Sequence, residues 1–292
     1  MMLSFHQLHH HFVGEVSAID LRAVHDRDTL EEIRAGMDRY AVLVFRNQPF
    51  TNQEQLDFAE RFDGKLHART STSVVTKNRF GNEALSDISN VGDDGKLLAP
   101  DDRRRATGLA NRLWHTDASF VDPPGRYSML SARVIPPVAA DTEFADMRAA
   151  YDALDADTWA SLEGLTVHHS IAYSREVLGF EFSAAEKELL KGAVHPLVRT
   201  LPGSGRRSLY LASHAAAIVG WRLPEGRLLL RDLMEHATRP EFVHRHAWRA
   251  GDFVIWDNRA TMHRARPFDD SMYRRELRRT TTLDIEPAAQ AA

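Results

Sequence analysis

Two periods of hydrophobic residues run along this chain, one near 3.6 residues and one near two, and they predict its helices and strands. Apolar residues recur at the helical spacing in 29–40, which predicts an amphipathic helix there. Capping-box pairs or flanking prolines mark three further helices: Thr51 with Glu54, Ser183 with Glu186, and Pro224 with Pro240. These helices crowd the first third of the chain and a few later inserts.

Short runs rich in β-branched and aromatic residues predict strands between the helices. The predicted strands are 41–45, 126–135, 208–212, 242–248, 253–256 and 275–285. Residues 249–252 contain Gly251 and predict a hairpin between the fourth and fifth of these strands. Because strands and helices do not alternate regularly, we predict a mainly β protein, an antiparallel double-sheet roll with helical decoration. We expect one domain over residues 1–292.

Composition narrows the function classes. The chain has 292 residues, 27% charged residues and a formal net charge of −4, so no basic nucleic-acid footprint is present. It has no cysteine, which excludes disulfides, iron–sulfur clusters and thiol nucleophiles. The chain has no stretch of about 18 apolar residues, so we expect no transmembrane helix. The N-terminal residues lack the apolar core of a signal peptide. We expect a cytoplasmic protein without nucleic-acid or membrane partners.

The strongest chemical signal is a His-x-Asp motif with a distant second histidine. His115 and Asp117 are two residues apart, so in an extended backbone they share one face, while Thr116 points away. His263 follows a predicted strand and turn, and it could fold back to supply a third ligand. Two histidines and one carboxylate leave open positions on Fe(II), as in non-haem oxygenases, but Zn²⁺ binds the same ligand types.

A basic segment follows the third candidate ligand. Arg275 and Arg279 share one strand face, and Arg274 and Arg278 share the other. A guanidinium binds a carboxylate through two hydrogen bonds, so Arg275 is predicted to hold the distal carboxylate of a dicarboxylic cosubstrate. Arg279 could reach a second carboxylate near the metal. Arg274 and Arg278 are expected to be solvated charges on an edge strand.

Several motifs together resemble the taurine dioxygenase family of Fe(II)/2-oxoglutarate oxygenases, and within it the 2,4-dichlorophenoxyacetate dioxygenase branch. The motifs are Asp87-Ile88-Ser89-Asn90-Val91, Leu113 to Phe120, Arg126-Tyr127-Ser128-Met129-Leu130, Asp141-Thr142-Glu143-Phe144, Trp256-Asp257-Asn258-Arg259 and the 275–280 strand. This resemblance covers nearly the whole chain. It implies a double-stranded β-helix, or jelly roll, and the cofactors Fe(II), 2-oxoglutarate and O2.

The same resemblance implies roles for individual residues. His115, Asp117 and His263 would be both the catalytic residues and the iron ligands. Thr142 and Arg275 would anchor the distal 2-oxoglutarate carboxylate, with Arg279 near the metal-side carboxylate and the substrate's acid group. Asn111 matches a position that lines the substrate pocket. The family's Phe-Gly is Phe62-Asp63 here, and the following loop aligns poorly, so Lys65, His67 and Arg69 are only candidates for substrate contact.

The implied reaction is hydroxylation of a small carboxylate substrate, an aryloxyalkanoate for preference, coupled to conversion of 2-oxoglutarate into succinate and CO2. Hydroxylation beside an ether oxygen would release a phenol and an oxo acid. Three alternatives stay open: a taurine- or alkylsulfonate-type dioxygenase, a zinc hydrolase that uses the same three ligands, and a metal-free jelly-roll binding module. His244 and His246 resemble a second metal pair, although packed histidines are the preferred interpretation. We expect a homo-oligomer, dimer to tetramer.

Overall fold

A computed structural model describes residues 2–17, 19–68 and 79–285, and within these residues the chain forms fifteen strands and eight α-helices. The strands are β1 (Phe5–Gln7), β2 (Gly14–Val16), β3 (Val42–Phe45), β4 (Ser86–Ser89), β5 (Gly125–Val134), β6 (Thr142–Asp146), β7 (Thr166–His169), β8 (Ala193–Pro196), β9 (Val198–Thr200), β10 (Arg207–Leu209), β11 (Ala215–Ile218), β12 (Val243–His246), β13 (Phe253–Asp257), β14 (Thr261–Ala265) and β15 (Glu276–Leu283). The helices are α1 (Arg27–Tyr40), α2 (Asn52–Asp63), α3 (Arg103–Leu109), α4 (Met147–Asp152), α5 (Ala156–Leu162), α6 (Ile171–Glu176), α7 (Ala184–Leu189) and α8 (Leu223–Ala237).

A seven-stranded sheet with the order β1-β2-β3-β13-β5-β15-β4 forms the frame. Alternate residues of β3, β5 and β13 point to one face, where they meet the apolar side of α1 and the phenylalanines of α2. Both helices begin with side-chain caps, Asp26 for α1 and the Thr51–Glu54 capping box for α2. The two helices therefore cover one face of this sheet.

The opposite face of the large sheet packs against a three-stranded sheet with the order β12-β6-β14. Phe144 from the small sheet is fully buried against Val254, Trp256 and Leu277 from the large one. Apart from the parallel pair β2–β3, both sheets are antiparallel. Two facing sheets of this kind that enclose a shared core form a jelly roll, so the predicted fold class is confirmed. The strands of the small sheet place Thr142 and His263 at the edge of this core.

Helical decoration completes the molecule. A second core joins α4 and α8 to β7, β10 and β11, and it contains Leu162, Leu230 and Leu233. The short helix α6 begins directly after β7, with Ser170 as its N-cap. No helix in the described part of the chain is both long enough and apolar enough to cross a bilayer. The expectation of one domain over 1–292 stays a prediction.

Most predicted elements lie close to their observed bounds. The 29–40 helix is α1, both capping boxes form, and the 126–135 and 275–285 strands are β5 and β15. The 208–212 strand is shorter than predicted, because β10 ends at Leu209. The predicted boundaries thus err by a few residues where a strand ends in a loop.

The predicted hairpin over 242–256 is wrong. Strand β12 pairs with β6 in the small sheet, whereas β13 pairs with β3 and β5 in the large sheet. The turn at 249–252, with Gly251 at φ 84°, therefore carries the chain from one sheet to the other. A local turn signal reports only that the chain reverses, and the facing sheets decide whether the flanking strands pair.

The expected solvation of Arg278 is also wrong. Strand β15 lies between β5 and β4, so it is not an edge strand. The Arg278 side chain is 8% exposed, and it pairs with Glu276 at 2.7 Å and Asp87 at 3.0 Å. Its guanidinium also lies 4.2 Å from the centre of the Phe80 ring. Arg274, 49% exposed and paired with Glu276, fits the original expectation better.

The contrast between these two arginines predicts different effects on stability. Arg278→Ala should lower the free energy of unfolding by about 2 kcal/mol, because it removes charged hydrogen bonds from the buried Glu276 and the half-buried Asp87. Arg274→Ala is the matched control, since it removes an exposed partner of the same Glu276, and it should cost about 0.5 kcal/mol. Urea denaturation of both variants measures the difference. Equal losses would contradict the buried role of Arg278.

Candidate active site and metal centre

The three predicted metal ligands come together at the open end of the small sheet. His263 lies in β14, and His115 lies on the extended segment that pairs with it. The His115 N–H donates to the His263 carbonyl at 3.0 Å, and the His263 N–H donates to the His115 carbonyl at 2.8 Å. This short backbone pairing holds the two imidazoles side by side, with their ring centres 4.2 Å apart.

Donor atoms of His115, Asp117 and His263 all lie within 4.8 Å of one another, a spacing that fits one metal ion. The His263 Nε2 is 3.7 Å from Asp117 Oδ2. The His115 Nδ1 lies 2.7 Å from the Leu113 carbonyl, so Nδ1 is the donor and Nε2 carries the lone pair. This is the only group of three such residues at metal-binding distance in the described ranges.

The three side chains are held in the protonation states that a metal needs. Burial lowers the pKa of His115 below its ordinary value, and burial together with His115 lowers the pKa of His263 well below it. Burial alone would raise the pKa of Asp117, but Arg279 and the two histidines outweigh it and lower that pKa. At neutral pH the site therefore offers two neutral imidazoles and one carboxylate.

Asp117 is fixed by contacts from three elements. Its Oδ1 pairs with Arg279 of β15, and its Oδ2 accepts from the Ser128 hydroxyl of β5 at 2.8 Å. The Asp117 N–H donates to Asn258 Oδ1 at 3.1 Å, just after β13. Gly125 permits this close packing, because a Cβ there would lie 3.0 Å from the Asp117 carbonyl oxygen. The carboxylate can therefore turn little.

A cavity of about 260 Å³ opens onto the three ligands. Six apolar side chains form much of its wall: Ile88, Val91, Leu98, Leu109, Phe120 and Ile171. Cationic side chains line another part, among them Arg175, Arg275 and Arg279. An apolar wall with a few converging charged groups is the usual form of a small-molecule site.

The predicted cosubstrate anchors, Arg275 and Thr142, both line this cavity. The Arg275 side chain is buried, and burial lowers its pKa to about 10. Its Nε has no hydrogen-bond partner and its guanidinium no ion pair within the described ranges. Thr142 Oγ1 accepts a hydrogen bond from Trp248 Nε1 at 2.9 Å, which leaves the Thr142 hydroxyl hydrogen free to donate. The pair is arranged to receive an oxygen anion.

The other candidate residues are placed differently. Asn111 lines the cavity from the turn Ala110–Arg112. His67 is buried, donates its backbone N–H to the Thr281 carbonyl at 2.7 Å, and is not part of the cavity lining as far as the chain is described. Lys65 borders a separate shallow depression beside α2. Arg69 lies outside the described residues.

Two residues that the sequence interpretation missed also line the cavity, Arg175 on α6 and His214 before β11. His214 is fully buried, and its ring centre lies 6.1 Å from that of His115. Neither belongs to a short motif with ligand spacing. The sequence offered one signal, the position of Arg175 in a segment of mostly apolar and small residues. Such a segment suggests that Arg175 is buried, but it does not show which residues surround it.

The histidines considered as a second metal pair do not approach a third ligand within the described part of the chain. His246 is buried, with Nε2 3.2 Å from Asp252 Oδ2 and its ring edge-on to Trp248. His244 packs near His9 and Phe12. Packing therefore accounts for His244, and packing together with the contact to Asp252 accounts for His246.

Comparisons with known proteins agree with this geometry. The family described as "Taurine catabolism dioxygenase TauD, TfdA family" matches residues 4–281. The "Alpha-ketoglutarate-dependent 2,4-dichlorophenoxyacetate dioxygenase" of Cupriavidus pinatubonensis is 48% identical over 278 residues, which cover 95% of this chain and 96% of that protein. The "(S)-phenoxypropionate/alpha-ketoglutarate-dioxygenase" of Sphingobium herbicidovorans is 34% identical, with coverage of 96% and 94%.

A solved structure titled "Crystal structure of AAD-2 in complex with Mn(II) and N-oxalylglycine" superposes with a TM-score of 0.89 at 48% identity and covers all of both chains. The predictions of the family, of a dioxygenase and of its cosubstrate agree with these names. This chain belongs to the taurine catabolism dioxygenase TauD, TfdA family.

Proposed function

We propose that this dioxygenase uses Fe(II), 2-oxoglutarate and O2 to hydroxylate an aryloxyalkanoate at the carbon beside its ether oxygen. The observation that carries the proposal is the buried, unpaired guanidinium of Arg275 in the same cavity as the His115, Asp117 and His263 cluster. A buried cation without a partner is unfavourable, and a bound dicarboxylate would remove that penalty.

In this proposal each side chain has a definite task. His115, Asp117 and His263 would hold Fe(II), which when bound supplies the oxidising chemistry from O2 and 2-oxoglutarate. Arg275 would grip the distal carboxylate of 2-oxoglutarate, and the Thr142 hydroxyl would donate a third hydrogen bond to it. Ser128 and Arg279 would keep the Asp117 carboxylate turned toward the ion. The apolar wall would limit the entry of water.

The proposed product follows from simple chemistry. A hydroxyl group added to the carbon that bears the ether oxygen gives a hemiacetal or hemiketal. This species collapses with cleavage of the carbon–oxygen bond into a phenol and an oxo acid. The relatives that act on 2,4-dichlorophenoxyacetate and phenoxypropionate, by their names, support this substrate class.

The cavity itself favours an aromatic substrate over taurine or another small alkylsulfonate. Phe120 and Ile171 pack in one apolar cluster and form an apolar corner of the cavity. Leu98, Leu109 and Val91 also line this cavity. Burying an aryl ring against such side chains stabilises the complex by about 25 cal/mol per Å² of apolar surface. Taurine has little apolar surface to bury. A zinc hydrolase needs no dicarboxylate cosubstrate, so that function would not explain the buried, unpaired guanidinium of Arg275.

A small-molecule substrate is common to the family. We propose a cytoplasmic enzyme that forms a homo-oligomer, dimer to tetramer, and that binds neither nucleic acid nor membrane. We also propose that Asn111 contacts the substrate, that Arg279 lies near it, and that His67, on the segment after α2, is a further candidate for substrate contact. The negative net charge of −4 supports the exclusion of nucleic acid.

A substrate panel tests the proposed function. The Fe(II)-loaded protein is mixed with 2-oxoglutarate and either 2,4-dichlorophenoxyacetate, phenoxypropionate, taurine or an alkylsulfonate, and oxygen uptake and succinate are measured. Substrate-dependent uptake should be largest with an aryloxyalkanoate, and a phenol should form. The proposal fails if taurine gives the largest rate, or if turnover does not require 2-oxoglutarate.

The metal site has its own prediction. The wild-type protein should bind one Mn²⁺ per chain under anaerobic conditions, as measured from the signal of free Mn²⁺ in electron paramagnetic resonance. His263→Ala and Asp117→Ala should lose this binding, because two ligands hold the ion too weakly. His244→Gln is the control and should retain it. Retained stoichiometry in the first two variants would place the metal elsewhere.

The cosubstrate anchor predicts a KM effect. Arg275→Gln should raise the KM for 2-oxoglutarate by about 10- to 100-fold, the value of a lost charge-assisted hydrogen-bond pair, with a smaller change in kcat. Arg266→Gln is the matched control, because Arg266 lines the same cavity but its side chain is 39% exposed and 3.6 Å from Glu143. Its KM should change less than about twofold. Equal effects of both variants would refute the anchor.

A further inference from the structure

The buried arginines of the described chain divide into two groups. Six arginines are buried, and four of them pair with a carboxylate: Arg148 with Asp146, Arg259 with Asp257, Arg278 with Glu276, and Arg279 with Asp117. The remaining two, Arg175 and Arg275, have no carboxylate within 4.0 Å in the described ranges, and both line the cavity of the active site. Two separate buried cations therefore face one cavity.

Arg175 is held in a defined position. Its Nη1 donates to the Ser174 hydroxyl at 2.9 Å, while its buried Nε has no hydrogen-bond partner among described residues. Ser174 in turn donates to the Ile171 carbonyl at 2.9 Å and lies 2.9 Å from His214 Nδ1. Because the Ser174 hydrogen is already used, His214 is the donor in the last contact. The Ser174 hydroxyl thus fixes one corner of the guanidinium.

The charges around Arg175 leave its own charge uncompensated. Burial and Arg279 lower the pKa of Arg175 to about 10, so the guanidinium is still a cation at neutral pH. Arg279 already has a carboxylate partner in Asp117, which Arg175 lacks among the described residues.

The two unpaired guanidiniums serve different parts of the cavity. The backbone N–H of Arg275, directly before β15, donates to Asn90 Oδ1 at 2.8 Å, whereas Arg175 lies on α6, where the Ser174 hydroxyl links it to His214. The His214 ring centre lies 6.1 Å from that of His115. Arg175 also lies on the same short helix as Ile171, which packs with Phe120 in a small apolar cluster. A cation beside this apolar corner suits a molecule with one anionic end and one aromatic body.

We propose that Arg175 binds the carboxylate of the organic substrate, while Arg275 binds that of 2-oxoglutarate. This inference rests on the proposed function and assigns the recognition of the substrate's acid group, for which Arg279 was the earlier candidate. The free Nε side of the guanidinium donates two hydrogen bonds to the carboxylate, and Ser174 and His214 hold the guanidinium in place as positioning residues. The aryl ring then lies against Phe120 and Ile171.

Direct binding tests this assignment without turnover. Protein loaded with Mn²⁺ and N-oxalylglycine is titrated anaerobically with 2,4-dichlorophenoxyacetate in a calorimeter. Arg175→Gln should weaken binding of the acid by about 10- to 100-fold and leave the affinity for N-oxalylglycine within about twofold. Arg175→Lys keeps the charge and should lose less. Arg112→Gln is the matched control, since Arg112 lines the same cavity but its side chain is 37% exposed.

The methyl ester of the same substrate separates recognition from damage to the fold. The wild type should prefer the acid to the ester, and Arg175→Gln should remove most of that preference. Unchanged acid affinity in Arg175→Gln, or an equal loss for acid, ester and N-oxalylglycine, would overturn the assignment. If Arg175→Gln does not fold, Arg175→Lys and Ser174→Ala carry the same comparison of acid with ester.

The proposed function and this inference fail in different ways. If the wild type does not bind or oxidise any aryloxyalkanoate, the proposed substrate class is wrong. If the wild type oxidises it but Arg175→Gln retains the wild-type preference for the acid over the ester, only the assignment of Arg175 is wrong.

Discussion

The site depends on the burial of one charged pair, Asp117 with Arg279. A buried carboxylate is costly unless a cation and further donors neutralise it. Here Arg279 comes from β15, Ser128 from β5 and Asn258 from the end of β13, so three neighbouring strands converge on one side chain. Asn258 also donates to Ser128 at 3.0 Å, which closes a ring of hydrogen bonds. The large sheet thereby fixes the direction of the one acidic ligand.

The same pair determines which charges remain available in the cavity. Because Arg279 is occupied by Asp117, it adds no net positive charge for an incoming acid. Arg175 and Arg275 stay unpaired, and a divalent ion would add further positive charge. A cavity with apolar walls concentrates this field and attracts anions. Two anions of different shape, a keto diacid and an aromatic acid, would balance it.

Sequence reasoning was most successful where strand geometry limits the outcome. The period of two places His115 with Asp117, and Arg275 with Arg279, on common faces, and the structure keeps both relations. Sequence reasoning failed where the result depends on which elements meet in space. From the sequence Arg278 is expected to be solvated, but in the structure it pairs with Asp87 of β4. The predicted 242–256 hairpin does not form, because its two strands belong to different sheets.

Arg175 illustrates the same limit for a functional residue. No spacing connects it to His115, 60 positions earlier in the sequence. Its position depends on three contacts between distant parts of the chain. Strand β11 pairs with β7, Ser213 N–H donates to the Trp114 carbonyl at 2.8 Å, and His214 reaches Ser174 on α6. A residue such as Arg175 can be recognised as a candidate only from a structure, which shows both that it is buried and that no carboxylate pairs with it among the described residues.

The proposed binding of metal and cosubstrate and the proposed recognition of the substrate depend on different elements of the fold. Of the groups proposed to hold the metal and cosubstrate, Thr142 lies on β6, His263 lies on β14 and Arg275 directly precedes β15. His115 and Asp117 lie on the segment that pairs with β14 through His115. The side chains proposed to recognise the substrate lie on α6 and on the segment just after Asp117, outside the two facing sheets. A change in α6 can therefore move the cation or the apolar corner without altering strand register. Substrate choice in this architecture is physically separable from the binding of 2-oxoglutarate, because the two guanidiniums are carried by elements that share no hydrogen-bonded strand.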